Sequence, residues 1–511
     1  MNDVTGFLED AAHFPGGHAR AVLFPRSTDD VADAVAHHDT ILPIGAQSSL
    51  TGGATPMGET LLATSKLNRI LGETDGTITV EAGVTVAALQ EHLATHGAWF
   101  PPAPTFTGAT AGGIVATNAA GAATFKYGAT REWVQGLTVV LADGSVFRVT
   151  RGEDRARNSR LDFATPWARY RIDVPRYEMP NVPKRSAGYY ATTGMDLIDL
   201  FVGSEGTLGV VTEVTFRVLS PAPQTALALI PCASDGQALA IAGALRAASI
   251  ATFRTGDPAG LQVAAIEDMD RRSIEILRED GADTKHNVTF PPDTAVALLA
   301  QVELPHDLDA ARAYDQIERF DVADAPDTPI VRLCRLLRDM GVLDVTELVL
   351  PGDRRRAEQL VAIREAVPAG VNNRVGTAKR TVDDRIVKTA ADMIVPFAHF
   401  GDMMAEYKRG FESRGLDYAI WGHISDGNVH PNVIPRSYAD VERGREAILE
   451  FGAECVRLGG CPLAEHGVGR SPLKQQLLRQ LYGEKGIEQM RAVKRALDPK
   501  WKLAPGVIFE R

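Results

Sequence analysis

The chain reads as an α+β protein of two or three domains, and three observations predict it. Its 511 residues are more than one hydrophobic core usually organises. Short β-like runs mix with amphipathic helical stretches on both sides of Pro221-Ala222-Pro223, which punctuates the chain and sets a boundary. Beyond it, strands and helices alternate to about residue 450, the pattern of an antiparallel sheet carrying helices. We expect domains over 1–220 and 221–470, and a helical segment over 471–511.

In the first third, Ile41-Leu42-Pro43-Ile44 reads as a strand that leads into the small-residue loop Gly45 to Gly53. Thr77 to Ala82 alternates as a strand should. Val84 to His96 reads as a helix with Val86, Leu89 and Leu93 on one face. Gly108 to Gly113 is a second small-residue loop, followed by Ile114 to Ala120. Leu137 to Leu141 and Ala142-Asp143-Gly144-Ser145 read as a strand and a turn. Arg151 to Arg176 holds seven arginines with little periodicity, as in a solvated insertion or a docking surface for an acidic partner. Gly203 to Glu213 closes the block, with Val214 to Leu219 as a strand. Past the boundary come a strand near Ala226–Ile230, a helix over Gly236–Ala248 and a last helix, Lys474 to Leu497, stopped by Asp498-Pro499.

Composition narrows the function. The 45% hydrophobic and 23% charged residues are those of a soluble globular protein. A net charge of −11 argues against nucleic-acid binding. No Lys-bearing phosphate loop and no G-x-G-x-x-G fingerprint is present, which speaks against nucleoside-triphosphate and Rossmann sites. Met1 to Asp10 has no apolar run, and no stretch of about 18 apolar residues occurs, so neither a secretory signal nor a membrane span is expected. Cys232, Cys334, Cys455 and Cys461 form no C-x-x-C, which fits reduced thiols and no resident iron–sulfur cluster.

The strongest chemical signal is Trp421 to Asn432. Asp426-Gly427 predicts a two-residue hairpin turn, which would set His423 directly opposite His430. Two imidazoles so placed can chelate one metal ion. Asn432 would project to the same side as His430. Glu465-His466 adds a carboxylate and a third imidazole, a set suited to zinc or another divalent ion with an open coordination position. The Gly45–Gly53 and Gly108–Gly113 loops would let backbone amides approach a ligand closely. Neither contains Lys, so they suit a dinucleotide pyrophosphate better than a transferring phosphoryl group.

Together these segments carry a resemblance over nearly the whole chain. The sequence resembles the FAD-linked oxidases and dehydrogenases of the vanillyl-alcohol oxidase superfamily, in the D-lactate, glycolate and D-2-hydroxyglutarate dehydrogenase branch. The loop Gly45 to Gly53, Pro102-Ala103-Pro104 with Thr110 to Gly121, and Gly203 to Glu213 are similar to its three flavin motifs. His423 to His430 and Glu465 to Gly469 are similar to its metal and catalytic motifs, and Leu497 to Gly506 to its tail. The resemblance implies an FAD domain of two α+β subdomains with a ferredoxin-like cap domain, and a C-terminal segment that returns to the FAD domain. It carries cofactor contacts onto Pro43, Gly45, Ala46, Gln47, Ser48, Ser49, Gly52, Pro102, Thr110, Gly112, Gly113, Thr117, Gly188, Glu205, Gly206, Gly209 and Val211. It places metal ligands at His423, His430 and Glu465, a proton acceptor at His466, and substrate contacts at Arg364, Lys388 and Asn432. Pro368, four residues after Arg364, departs from the Thr of the hydroxyglutarate enzymes.

The implied reaction is oxidation of a D-2-hydroxy acid to the 2-oxo acid, with hydride passing to flavin N5. Without a histidine in the Gly45–Gly53 loop, the FAD is expected to be non-covalent. Electrons would leave to an external acceptor: a cytochrome, a quinone, an electron-transfer flavoprotein or a separate Fe–S subunit. A cytoplasmic protein, or one peripheral to a membrane, and a homodimer are compatible with this reading. The alternatives are other alcohol or phenol oxidation, non-redox flavin chemistry on the same fold, and a zinc hydrolase without flavin.

Overall fold

The computed structural model describes residues 3–102 and 104–511. Met1, Asn2 and Ala103, all quoted above, lie outside the described residues. The chain divides into two compact units, 1–121 with 128–220 and 459–511, and 122–127 with 221–458.

The first unit holds two larger sheets and a two-stranded one. A parallel sheet orders Ala21–Leu23, Thr60–Ala63 and Ile41–Ile44. An antiparallel sheet orders Ile70–Thr74, Thr77–Glu81, Val210–Arg217, Val134–Val140 and Val146–Thr150. The helix Thr28–His37 shows how local chemistry builds such elements. Ser27 caps it by accepting from the Asp30 amide at 3.1 Å, and Asp29 and Asp30 complement its N-terminal dipole. Val31 and Val35, one turn apart, bury against Ile41, Leu62, Val140 and Leu503. Leu503 belongs to the C-terminal tail, which is bonded to this unit through Ile41 N to Lys502 O at 2.9 Å and Ala504 N to Ile41 O at 2.8 Å.

Two expectations need correction here. The Arg-rich segment is not irregular: Arg160–Ala164 and Arg169–Asp173 pair as an antiparallel hairpin. Leu161, Phe163 and Ile172 are buried, while Arg160 pairs with Asp173 and Arg171 with Asp162 across the outer face. Secondly, the C-terminal return begins at Gly459, not 471. Ser186 N donates to Ala464 O at 3.0 Å, and Val468 and Gly469 donate to Glu205, which ties this stretch to the first unit. The helix Asp235–Thr255 is long and apolar enough by length and composition alone to cross a membrane. It buries Ala238, Ile241, Ala242 and Leu245 and packs on the sheet of the second unit.

That second unit is built on one antiparallel sheet, ordered Glu347–Val349, Gln224–Cys232, Val296–Leu304, Gln262–Asp270, Tyr418–His423, Asn428–Val433 and Met393–Ile394. The helix Arg354–Thr381 covers one face, with Leu360, Ile363, Val367 and Val371 against Met269, Leu299 and Trp421. Pro368 lies inside this helix. Lacking an N–H, it deprives the Arg364 carbonyl of its helical donor.

Candidate active site: a flavin-sized cleft and a histidine hairpin

The first unit contains a cleft of about 1530 Å³, counting its open mouth. The loop after the strand Ile41–Ile44 forms one wall. Gln47 takes φ 51° there, and its side-chain amide donates to Phe7 O at 3.0 Å and Ala54 O at 2.8 Å, which closes the loop on itself. The backbone N–H groups of Ala46, Gln47, Ser48 and Ser49 find no protein acceptor among the described residues. Such a row of amides along a cleft suits an anion such as a pyrophosphate. The second wall is the helix Ala111–Thr117, capped by Thr110. Its first amides are already used: Ala111 N donates to Val84 O, Gly112 N to Ala82 O, both at 2.8 Å, and Gly113 N to Thr110 Oγ1 at 3.3 Å. The amides of Ala111 to Gly113 are therefore not open to a ligand, where a second wall of free amides was expected. The walls approach so closely that a Cβ on Gly45 would lie 2.3 Å from Thr110 Oγ1.

The third loop brings Glu205. Its carboxylate accepts from Val468 N and Gly469 N, each at 2.8 Å. Burial raises its pKa, the two amides and Lys474 oppose this, and the carboxyl ends near 7. Of the expected cofactor residues, Pro43, Gly45, Ala46, Gln47, Ser48, Ser49, Thr110, Gly112, Gly113, Thr117, Glu205, Gly206, Gly209 and Val211 line the cleft. Gly52, Pro102 and Gly188 do not. Gly52 turns the chain under Phe14, Pro102 is buried, and Gly188 packs against Met490.

Glu465 and His466 also line this cleft. The Glu465 Oε2 lies 3.0 Å from Lys184 Nζ, and Lys184 is fully buried. The Oε1 faces His466 Nε2 at 3.6 Å. No local pattern in the sequence marks Lys184.

In the second unit the hairpin differs from expectation. His423 pairs with Asn428 and Trp421 with His430, so Ile424 to Gly427 form a four-residue loop. The Asp426 carboxylate accepts from the Asn428 amide at 3.1 Å, which closes the longer loop. The pairing slips by two residues, the side-chain period, so both histidines keep one face. Their rings lie 5.6 Å apart, nearly perpendicular.

Around them stand residues that sequence reasoning missed. The Glu267 Oε1 lies 2.8 Å from His423 Nδ1. Its Oε2 accepts from Arg364 Nε and pairs with Nη2, both at 2.9 Å. Burial raises the Glu267 pKa, but Arg364 and His423 outweigh it, and the carboxyl falls to about 2. Asp392 lies across the Met393–Val429 pairing and sets Oδ1 3.5 Å from His430 Nδ1. Asn432 donates to His430 O at 2.8 Å, and its Oδ1 is buried with no hydrogen-bond partner among the described residues. Lys388 is half-buried just before this strand. Nothing local marked Glu267, whose partners are 97 and 156 residues away.

A family model described as an FAD binding domain matches residues 19–150, and one described as the C-terminal domain of FAD linked oxidases matches residues 239–508. Among curated relatives, the glycolate oxidase subunit GlcD of Bacillus subtilis is 26% identical, covering 96% of this chain and 89% of its own. A D-2-hydroxyglutarate dehydrogenase of Xanthomonas citri is 27% identical, with 96% and 89% covered. A D-lactate dehydrogenase of Archaeoglobus fulgidus is 27% identical, with 96% and 91% covered. An alkyldihydroxyacetonephosphate synthase structure superposes with a TM-score of 0.55 at 15% identity, over 95% of this chain and 75% of that one. This last likeness concerns the fold, the two-subdomain flavin architecture with an α+β second domain.

Proposed function

The chain belongs to the FAD-linked oxidases, and from that premise we propose that it oxidises a D-2-hydroxy acid to the 2-oxo acid. One observation carries the reading: the free amides of Ala46 to Ser49 and the Glu465-His466 pair line the same cleft. Bound there without a covalent link, FAD supplies the two-electron acceptor for the substrate α-hydrogen.

The chain's own residues do the remaining work. His466 accepts the hydroxyl proton, with its Nε2 facing the Glu465 carboxylate. Arg364 holds the substrate carboxylate through Nη1 while Nε and Nη2 keep Glu267. Lys388 adds a second cation, and Asn432 Oδ1 accepts from a substrate hydroxyl. For the metal we propose His423 and His430 with Glu465. Glu267 on His423 Nδ1 leaves Nε2 as the donor atom, an arrangement common behind metal-bound imidazoles. A divalent ion there, zinc by its N/O donors, would polarise the substrate hydroxyl. Electrons leave to an external acceptor, since the four cysteines are separate buried thiols.

The test is a panel of D- and L-2-hydroxy acids with a dye acceptor, before and after chelation. The expected outcome is turnover of D-acids that chelation abolishes and zinc restores. A yellow protein that reduces the dye with no acid in the panel would sink the proposal.

A further inference from the structure

We propose that Glu73, His92 and His96 form a second divalent-metal site, on the surface of the first unit, suited to a zinc-type ion. His92 lies in the last turn of the helix Val86–Ala94, and His96 follows just past its end. Four residues apart, the imidazoles emerge on one side, with ring centroids 5.4 Å apart. Glu73 reaches them from the strand Ile70–Thr74, at the edge of the five-stranded sheet. One ligand atom from each residue lies within 4.8 Å of the other two.

The distances fit a metal. His92 Nε2 is 3.1 Å from Glu73 Oε2, and His96 Nδ1 is 3.9 Å from the same oxygen. Bonds of about 2.0–2.2 Å to a tetrahedral ion put donors roughly 3.3–3.6 Å apart. Small side-chain rotations reach that spacing from both values. A metal on His96 Nδ1 would replace its 3.0 Å contact with Thr95 Oγ1. The three side chains are 32%, 34% and 57% exposed for Glu73, His92 and His96, so an ion can enter and water can complete its shell. Two neutral imidazoles and a carboxylate are a zinc donor set, and poor for calcium or magnesium, which prefer oxygen. Nothing here depends on the hydroxy-acid reaction or on the histidine hairpin.

The test strips the flavoprotein of metal and titrates Zn²⁺ against a chromogenic competitor. Wild type should bind one equivalent more than His92→Ala or His96→Gln, with a micromolar dissociation constant. Glu73→Gln should weaken that equivalent by roughly tenfold. His430→Ala should keep it, which separates this site from the proposed catalytic ion. Zinc should raise the melting temperature of wild type more than that of His92→Ala. Equal stoichiometry in wild type and both surface variants would leave a plain His–Glu ion pair and overturn the proposal. Loss of zinc in His430→Ala alone would do the same.

Discussion

His466 and Glu267 carry the sharpest consequences at the scale of single residues. His466 is one-quarter exposed in the cleft, so truncation there should disturb chemistry more than folding. His466→Ala should slow flavin reduction by about 10²–10⁴-fold in a stopped-flow single turnover, with flavin content unchanged. Near-wild-type reduction would place the proton acceptor elsewhere. Glu267 holds a buried cation and a buried imidazole together. Glu267→Gln leaves Arg364 buried opposite a neutral amide and should cost about 3–5 kcal/mol at pH 7. The wild-type carboxyl ionises near 2, against an ordinary 4.5. Its stabilising contribution is therefore complete above about pH 4.5 and disappears as pH falls through 2. Urea unfolding of both proteins at stepped pH should show their difference shrinking toward acid. A pH-independent difference would mean that packing, not charge, dominates at this position.

At the scale of the element, the hairpin depends on Gly427. It takes φ 90°, and a Cβ there would lie 2.2 Å from Val395 O. Val395 directly follows the short edge strand Met393–Ile394, and Asp392, which faces His430, directly precedes it. Gly427→Ala combines a left-handed penalty with an overpacked backbone contact and should destabilise by about 2–4 kcal/mol. Equilibrium denaturation would measure this, and metal analysis should show weaker retention as Asp392 shifts from His430. Full stability together with full metal content would mean that the edge strand is not what supports His430.

On the whole-molecule scale, the cleft offers a cofactor its shape and the free amides of Ala46 to Ser49. The Gly45–Gly53 loop contains no histidine. Acid precipitation should therefore release the flavin to the supernatant, read by its visible absorbance. Flavin retained in the pellet would point to a covalent link from another residue. The C-terminal tail contributes to this unit through Lys494, whose ammonium donates to Thr207 O, Asp498 and Leu503 O. Burial lowers its pKa to about 8 against the opposing pull of Asp498.

Local chemistry in the chain was enough to determine several things. The Pro221-Ala222-Pro223 break coincides with the division at Ser220 and Pro221. The helix inside Val84–His96 buries Val86, Leu89 and Leu93, the face its spacing predicted. The small-residue loops that line the cleft were legible because glycine and small residues are required wherever backbones approach within a Cβ radius. Both histidines of the hairpin keep one face because a two-residue slip preserves a period of two. Tertiary structure alone decided the rest. The turn length was set by the Asp426 side chain and by Val395 packed against Gly427. Which amides of the flavin loops stay free depended on whether distant carbonyls such as Val84 O and Ala82 O had already claimed them. Glu267, Asp392 and Lys184 owe their roles to partners brought from far along the chain, and no local pattern in sequence records such long-range pairing of buried charge.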